Sequence, residues 1–305
     1  MLKFLRKHKA FILLTYVFLL TIHFGFKDYF FVTGIIFYTF PLLTLIIALI
    51  PLFIIFSSNK NMRIVLLCSA GILSLIWFQN YSFNYESNNT CASYSILFWN
   101  IAKQKDYNIE DLKQILEKEN IDAIIFVEAI HKNNAFNKEF NRVLGDYNVE
   151  FLDGNMLIAA KGDVIIKNFN EEHLNYRINH LQIELKQNTY SFALIDIYGN
   201  PLHYKKYALN TVMTFVNDNN VDIILGDFNI PFESIHFEKL KLNYNSLRDY
   251  QNGVSATWPA SIPLIELDQI WLKKNIKPLS LEKHYFKSSD HALLIGKFCS
   301  HNKNQ

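Results

Sequence analysis

Carboxylate and amide side chains follow an apolar run in DIILGDFNIP, residues 222–231. The run of β-branched and apolar residues stops at Gly226, and Asp227 and Asn229 come next. Glycine, aspartate and asparagine commonly terminate strands and form turns, so the pattern has a purely structural interpretation. It also has a chemical one, because a carboxylate and a carboxamide at the C-terminal end of a strand can offer ligands to a metal ion or contacts to a phosphate.

Comparable groups recur at the ends of other apolar runs. In chain order they are Asn100, Glu128, Tyr198, Asp268, Asp290 and His291. Taken singly, each has a simple structural explanation as a turn residue, a hydrogen-bonded histidine or a packing tyrosine. That explanation does not predict that strand after strand carries such a group in this order.

Alternating strands and helices are predicted for the segments that position these groups. Residues 107–121 have the apolar spacing of an amphipathic helix with Asn108 as its N-cap, and a second helix is predicted at about 204–217. Strand patterns occur in SYSILFWNIA, DAIIFVEAI, GNMLIAAKG, HLQIELKQ, YSFALIDIYG, VDIILGDFNI, LIELDQIWLK and HALLIGKFC. The chain after about residue 93 is therefore predicted to be an α/β (α+β) domain.

The N-terminal 83 residues predict a membrane region. Lys, Arg, Asp and Glu are absent from three runs, residues 10–26, 29–58 and 64–85. Each run approaches or exceeds the length of about 20 residues that spans a bilayer as a helix. We expect three transmembrane helices at roughly 10–26, 32–56 and 64–82.

Other interpretations of this region stay open. Pro41 and Pro51 make the second segment the least regular, so two spans or a re-entrant second segment are the alternatives. The basic N-terminus before the first run also resembles a signal peptide, but no small-x-small cleavage site follows it and two more apolar runs do.

Basic residues predict the orientation. Four basic residues precede the first segment: Lys3, Arg6, Lys7 and Lys9. Lys60 and Arg63 lie between the second and third segments. The loop between the first and second segments has only Lys27 beside Asp28. The positive-inside rule then predicts a cytoplasmic N-terminus and, with three spans, an extracytoplasmic domain after about residue 83. Two or four spans would invert this prediction.

Charge is divided unevenly between the two parts. Residues 1–87 contain seven of the 30 Lys and Arg and two of the 28 Asp and Glu, which leaves 23 basic and 26 acidic residues for the remainder. The C-terminal part is slightly acidic, so it lacks the basic surface typical of proteins that bind nucleic acid by neutralising phosphates.

The order FWN, VE, GDFN, LDQIWL and SSDHALL resembles the endonuclease/exonuclease/phosphatase family, which includes pancreatic DNase, exonuclease III-type enzymes, inositol-polyphosphate 5-phosphatases and neutral sphingomyelinases. The resemblance covers about residues 93–298. It implies a DNase-like, four-layer α/β/β/α sandwich preceded by a transmembrane helical region, with the active site at one edge. The expected organisation is a membrane region at 1–83, a linker at 84–92, a catalytic domain at 93–299 and a tail at 300–305.

A divalent cation is implied by the resemblance. Glu128 would be its principal ligand, with Asn100 and Asp290 completing or supporting the site. Oxygen ligands with several retained waters suit Mg²⁺, and Mn²⁺ is an alternative.

Catalytic roles are also implied for the remaining groups. Asp227 would orient or deprotonate the attacking water, and Asn229 would help to position water and phosphate. His291 would donate to a phosphate oxygen, and Asp268 would hold its imidazole in the required orientation. Tyr198 stands where several branches of the family have a histidine, but the exonuclease III branch has a tyrosine there. That branch also has an acid where this chain has Ala102, so one auxiliary metal group is lost.

The family topology permits a disulfide but leaves open whether it forms. Cys91 and Cys299 would lie at the same height on neighbouring antiparallel strands, at the edge opposite the site, and an extracytoplasmic location would permit pairing. Cys68 falls in the third apolar run.

The resulting hypothesis is a membrane-anchored, metal-dependent phosphoesterase of the bacterial inner membrane with an extracytoplasmic catalytic domain. Its expected partners are the lipid bilayer and a phosphoester substrate, which could be nucleic acid, a nucleotide or a phospholipid headgroup. Trp258 and Trp271 could stack on a base or simply pack. The alternative, favoured only by Ala102, is a membrane-tethered binding or structural protein that has lost turnover.

Overall fold

A computed structural model describes residues 2–86, 91–104, 108–129 and 134–299. Its α-helices in chain order are α1 (Leu2–Lys7), α2 (Lys9–Thr21), α3 (Phe31–Thr39), α4 (Leu42–Ile47), α5 (Leu49–Ile55), α6 (Lys60–Tyr81), α7 (Ile109–Leu116), α8 (Asn134–Val143), α9 (Lys205–Asp218) and α10 (Glu238–Asn243). Its strands are β1 (Ser82–Phe83), β2 (Ser93–Asn100), β3 (Ala123–Val127), β4 (Asn148–Leu152), β5 (Met156–Ala160), β6 (Val164–Glu172), β7 (Tyr176–Leu185), β8 (Asn188–Ile197), β9 (Ile223–Asp227), β10 (Tyr244–Ser246), β11 (Gly253–Val254), β12 (Asp268–Lys273), β13 (Pro278–His284) and β14 (Leu293–Cys299).

Two apolar helices of the N-terminal region are long enough to cross a membrane. One is the continuous helix Lys9–Phe26, which comprises α2 and a π-helical end, and the other is α6. The second predicted span is instead a helix pair, α3 and α4–α5, bent by 68°. The bend falls where Pro41 precedes α4, since proline has no N–H to continue the preceding helix. Counting the bent pair as one span gives three.

The remainder contains two six-stranded sheets. Sheet I has the order β13-β14-β2-β3-β5-β4, and sheet II has the order β10-β12-β9-β8-β7-β6. The hydrophobic residues between them alternate with residues on the outer faces, as expected for strands with two buried faces. On β2, Phe98 packs between the sheets while Leu97 packs outward with Leu112 of α7. On β9, Leu225 packs inward while Ile224 packs outward with residues of α9. Helices on both outer faces complete the predicted four-layer sandwich.

The chain termini of the sandwich are joined covalently. β14 pairs antiparallel with β2, with Cys299 opposite Ser93. Cys91, two residues before Ser93, forms a disulfide with Cys299, and their Cα atoms are 5.9 Å apart, within the usual range. The pairing that the family topology permits is therefore formed. Cys68 is a free, exposed cysteine on α6. Residues 87–90 of the predicted linker and the predicted tail at 300–305 lie outside the described residues.

The helical region is attached to the sandwich through a buried carboxylate. Asp28 is fully buried and accepts hydrogen bonds from the Tyr38 hydroxyl (2.9 Å), the Ser234 hydroxyl and the backbone N–H of Ile235 (3.1 Å). Buried carboxylates are retained when such donors replace the lost water. Lys27 adjoins this contact by donating to the Glu233 carbonyl at 3.0 Å.

Candidate functional site

Strand pairing brings the predicted polar residues to one edge. In sheet I, Asn100 ends β2 opposite Val127 of the parallel strand β3, so Glu128 comes next. In sheet II, Asp227 ends β9 opposite Asp268, which begins the antiparallel strand β12. The two edges meet, because Asn100 Nδ2 donates to Asp227 Oδ2 at 2.9 Å.

A buried cluster of Asp227, Asp268 and His291 forms the centre of this edge. His291 Nδ1 lies 2.9 Å from Asp268 Oδ2, and His291 Nε2 lies 3.9 Å from Asp227 Oδ2. An ionised carboxylate only accepts hydrogen bonds, so Nδ1 carries a proton and the imidazole is held with Nε2 toward Asp227. All three side chains are buried.

Both oxygens of Asp227 are held in place. Oδ2 accepts from Asn100, and Oδ1 accepts from the backbone N–H of Asn229 at 2.9 Å. The Asn229 side chain donates in turn to the Ile197 carbonyl at 2.8 Å. Asn229 has a φ of +50°, a left-handed conformation that asparagine tolerates better than most residues. GDFN therefore forms the turn and also orients the carboxylate.

Gly226 is required by the close packing of β9 on β8. A Cβ atom at this position would lie 1.9 Å from the Ile195 carbonyl oxygen. Only glycine fits such an approach of two backbones.

Neighbouring loops fix the His291 side of the cluster. The Ser289 hydroxyl donates to the Asn100 carbonyl (2.7 Å) and accepts from the His291 backbone N–H (3.0 Å). Trp99 Nε1 donates to the His291 carbonyl at 3.1 Å. The Thr257 hydroxyl accepts from the backbone N–H of Asp268 at 3.1 Å. The cluster is therefore preorganised by hydrogen bonds from several separate chain segments.

The cluster favours proton binding. Burial raises the pKa of Asp227 to about 8, against the opposing effect of His291, and the charges of Asp268 and Asp196 raise it further. Burial lowers the pKa of His291, but the carboxylates of Asp268 and Asp227 outweigh burial and raise it to about 10. Burial and the charge of Glu128 raise the pKa of Asp196 to about 6. Several acids thus converge on one imidazole, a setting in which a cation competes with protons.

Metal-ligand atoms of Asp227, Asp268 and His291 all lie within 4.8 Å of one another. Asp268 Oδ1 is buried without a hydrogen-bond partner among the described residues. An orphaned buried carboxylate oxygen is costly, so its presence fits a site that accepts a cation or a water.

The residues predicted as metal ligands have different surroundings. Glu128 is half-buried with a φ of +55°, and among the described residues its carboxylate forms no hydrogen bond or ion pair. Asn100 Oδ1 accepts from the Ala102 N–H at 2.9 Å. Asp290 is exposed and accepts from Trp258 Nε1 at 2.9 Å, so it lies outside the compact cluster.

Tyr198 and the two tryptophans have distinct environments. Tyr198 is 38% exposed, and its ring contacts that of His203. Trp258 is half-buried beside Asp290. Trp271 is only 1% exposed and stacks against Phe232, so it packs in the core and has no free face for a base.

Three charged residues near the edge were not predicted from the sequence. Asp196 pairs in register with Asp227 and binds Arg177 at 3.0 Å. Lys205, the first residue of α9, is 2% exposed and donates to the Tyr198 carbonyl. Burial lowers the pKa of Lys205 to about 8, while Asp227 and Asp196 oppose this shift. The Asp in LIDIYG was visible in the sequence, but its role depends on the strand register.

Comparison with known proteins identifies the fold. No family model and no curated protein matches the sequence. The structure is similar to a humanized D. rerio TDP2 (TM-score 0.54, 14% identity), with 68% of this chain and 99% of that chain covered. It is similar to an endonuclease/exonuclease/phosphatase family protein from Bacteroides thetaiotaomicron (TM-score 0.52, 12% identity, 69% and 98% covered). It is also similar to the human Nocturnin catalytic domain with bound sulfate (TM-score 0.50, 16% identity, 70% and 96% covered). At these identities the similarity shows the fold, and the chain has the endonuclease/exonuclease/phosphatase fold predicted from its motifs.

Proposed function

We propose that the chain is a membrane-anchored, divalent-metal-dependent phosphoesterase. The observation that carries the proposal is the buried His291–Asp268 pair whose free Nε2 faces the oriented carboxylate of Asp227 at 3.9 Å. Burying three titratable groups together costs stability. A protein that only binds, without turnover, has no need of this arrangement, whereas catalytic sites commonly contain it.

Each group of the cluster has a role in the proposed reaction. Asp227 Oδ2 accepts a proton from water as the water oxygen attacks phosphorus. The bond between phosphorus and one ester oxygen breaks, and that oxygen takes up a proton from solvent and leaves as an alcohol. His291 Nε2–H donates to a phosphate oxygen, and Asp268 holds the imidazole in that orientation. Asn229 positions water and phosphate, and Tyr198 is available to contact phosphate or leaving group. General acid–base catalysis of this kind contributes about 10²–10⁴-fold in rate.

The cation would be held by Glu128, with Asn100 and Asp290 in support. Among the described residues the Glu128 carboxylate has no hydrogen-bond partner and Asp268 Oδ1 is buried without one, which fits such a group. An all-oxygen donor set favours Mg²⁺ over softer metals. When bound, it supplies positive charge that offsets the charge developing on the phosphate oxygens.

Three membrane crossings are proposed, with the N-terminus in the cytoplasm of a bacterium and the catalytic domain outside its inner membrane. Arg6 donates to the Ser57 hydroxyl at 2.8 Å, so the N-terminus and the loop before α6 share one end of the helical region. At the other end, Lys27 contacts Glu233 and the Tyr81 carbonyl accepts from Ser255. A disulfide is typical of an oxidising, extracytoplasmic compartment.

The test uses the full chain purified in detergent with bis(p-nitrophenyl) phosphate. We expect Mg²⁺-dependent release of p-nitrophenol that EDTA abolishes and Glu128→Ala strongly reduces. A panel of single-stranded DNA, nucleotides and phospholipids then compares substrate classes; DNA is included because a D. rerio TDP2 structure holds a single-strand DNA product. Metal-independent or absent turnover of the folded protein on the whole panel would favour the binding protein instead.

A further inference from the structure

A mainly apolar cavity of about 400 Å³ lies between the catalytic edge and the helical region. Its walls include Thr39, Pro41 and Thr44 of the helical region and Pro231, Trp258 and Leu264 of the sandwich. The volume is within the range of about 300–1,000 Å³ typical of small-molecule sites.

The two walls are held in a fixed relation. Asp28 bonds both to Tyr38, which also lines the cavity, and to Ser234 and Ile235 of the sandwich. The Ser234 backbone N–H donates to the carbonyl of the lining residue Pro231 at 2.9 Å, so this buried contact adjoins the sandwich wall. The cavity is therefore a built feature of the junction.

The cavity reaches the residue that holds the Asp227 carboxylate. Asn229 lines it, and the backbone N–H of the same residue holds Asp227 Oδ1 at 2.9 Å. A molecule bound along the cavity would thus end beside Asp227.

A second, larger cavity lies on the other side of Trp258. It has a volume of about 670 Å³, and its lining includes Ser261, Lys287 and Asp290. The hydrogen bond from Trp258 Nε1 to Asp290 Oδ2 marks the boundary between the two cavities. The site is therefore flanked by an apolar space toward the helices and a more polar space away from them.

Exposed apolar side chains border the apolar cavity. Leu202 and Ile262 are 62% and 68% exposed on the sandwich, and each is within two residues of a lining residue. Phe40, between the lining residues Thr39 and Pro41 of the helical region, is 40% exposed. Exposed apolar residues on both sides of one opening are typical of a surface that meets a membrane.

We propose that the substrate is an amphiphilic phosphodiester resident in the same bilayer. Its hydrocarbon tail occupies the apolar cavity, its phosphate lies at Asp227 and His291, and its polar headgroup enters the second cavity. This inference rests on the proposed phosphoesterase function and names the substrate class for that site. Nucleic acids and free nucleotides have no hydrocarbon tail that would fill the apolar cavity.

Two chromogenic diesters that differ only in their tail test the inference: ethyl p-nitrophenyl phosphate and hexadecyl p-nitrophenyl phosphate, with the full chain in detergent micelles and Mg²⁺. Burial of even a few methylene groups in the cavity corresponds to a rise in kcat/KM of about tenfold or more for the hexadecyl ester. Because the leaving group is identical, the ratio of the two kcat/KM values reports the tail alone.

Thr39→Trp places a large side chain at an exposed position of the cavity wall, and Val32→Trp places the same side chain on the same helix away from it. We expect Thr39→Trp to abolish most of the preference for the hexadecyl ester and Val32→Trp to retain it. Turnover of the ethyl ester reports whether a variant is folded.

Each outcome is decisive. If the wild type hydrolyses both esters equally, or if Thr39→Trp keeps the full preference, the amphiphile inference is wrong while the phosphoesterase proposal stands. If neither ester is hydrolysed, the phosphoesterase proposal fails and the inference fails with it.

Discussion

His291 and Asp268 form a hydrogen bond of 2.9 Å between Nδ1 and Oδ2, and their side chains are 7% and 1% exposed. Strand β12 supplies the acid, and the loop before β14 in the opposite sheet supplies the imidazole. The pair therefore bridges the two sheets at the edge where Asp227 and Asn100 also meet. The fold holds the two side chains together, and the charge of Asp268 stabilises the imidazolium. A substitution that removes the charge but keeps the shape therefore separates the two effects.

Asp268→Asn keeps the shape of the side chain but removes the charge that holds the imidazolium. We expect kcat to fall by about 10²–10⁴-fold with a small change in KM, because the imidazole loses orientation and stabilisation in the reaction step. Steady-state kinetics on bis(p-nitrophenyl) phosphate measure this. Asp218→Asn, at the exposed end of α9, is the matched control. Equal kcat values in wild type and Asp268→Asn would exclude the proposed role.

The His291 imidazolium predicts a pH-dependent stability. Its pKa is raised from 6.5 to about 10 in the folded protein, so the stabilisation is fully present below pH 6.5 and is lost as the pH rises through about 10. In EDTA, the difference in thermal midpoint between wild type and His291→Gln should shrink steadily across this interval. Thermal denaturation at about pH 6, 8 and 10, which covers the interval between the ordinary and the raised pKa, measures this difference. A difference that grows with pH contradicts the assigned charge.

The Cys91–Cys299 disulfide closes nearly the whole sandwich, with a sequence separation of 208. Removal of a native disulfide typically costs about 2–5 kcal/mol, so Cys299→Ser should lower the thermal midpoint markedly. Cys68→Ser, on α6, should leave it unchanged. Mass spectrometry after alkylation without reductant should find one modified cysteine in natively exported protein; three modified cysteines would contradict the disulfide.

Gly226→Ala tests the close approach of β8 and β9. The added Cβ would meet the Ile195 carbonyl oxygen at 1.9 Å, so the strands must separate beside the Asp227 carboxylate. We expect a loss of more than about 3 kcal/mol in unfolding free energy, since overpacking of a tightly packed backbone is costly. Gly145→Ala, whose Cβ has open surroundings, is the control. A stable, fully active Gly226→Ala would show that the strand approach is adjustable.

Local sequence was sufficient to predict elements whose position depends on neighbouring residues in the chain. Asn108 caps α7 as predicted, by accepting from the Glu110 N–H at 3.1 Å, and α9 spans almost the predicted residues. Asp227 and Asn229 were found because the apolar strand is followed directly in the chain by typical turn residues. The cysteine pairing followed from family topology and not from spacing.

Residues whose environment depends on distant segments were missed. Asp28 looked like an ordinary loop residue, but Ser234 and Ile235 bury it completely. Lys205 was not singled out from the sequence, but it is buried at the start of α9 and donates to the Tyr198 carbonyl.

Strands with little apolar alternation were also missed. The four edge strands of the two sheets, β4, β6, β10 and β13, were not predicted, because exposed or half-buried residues interrupt their apolar patterns. The presence of Pro41 predicts an irregular second apolar segment, but it does not predict the angle of 68° between the helices on either side.

The most direct test of the phosphoesterase proposal is the kcat of the full-length protein for bis(p-nitrophenyl) phosphate in saturating Mg²⁺, compared with that of Asp227→Asn. The substitution keeps the hydrogen-bonding shape of the side chain and removes the carboxylate that accepts the water proton. We predict turnover in the wild type and a loss of about 10²-fold or more in the variant. Equal turnover in the two proteins would contradict the assignment of this edge as the catalytic site.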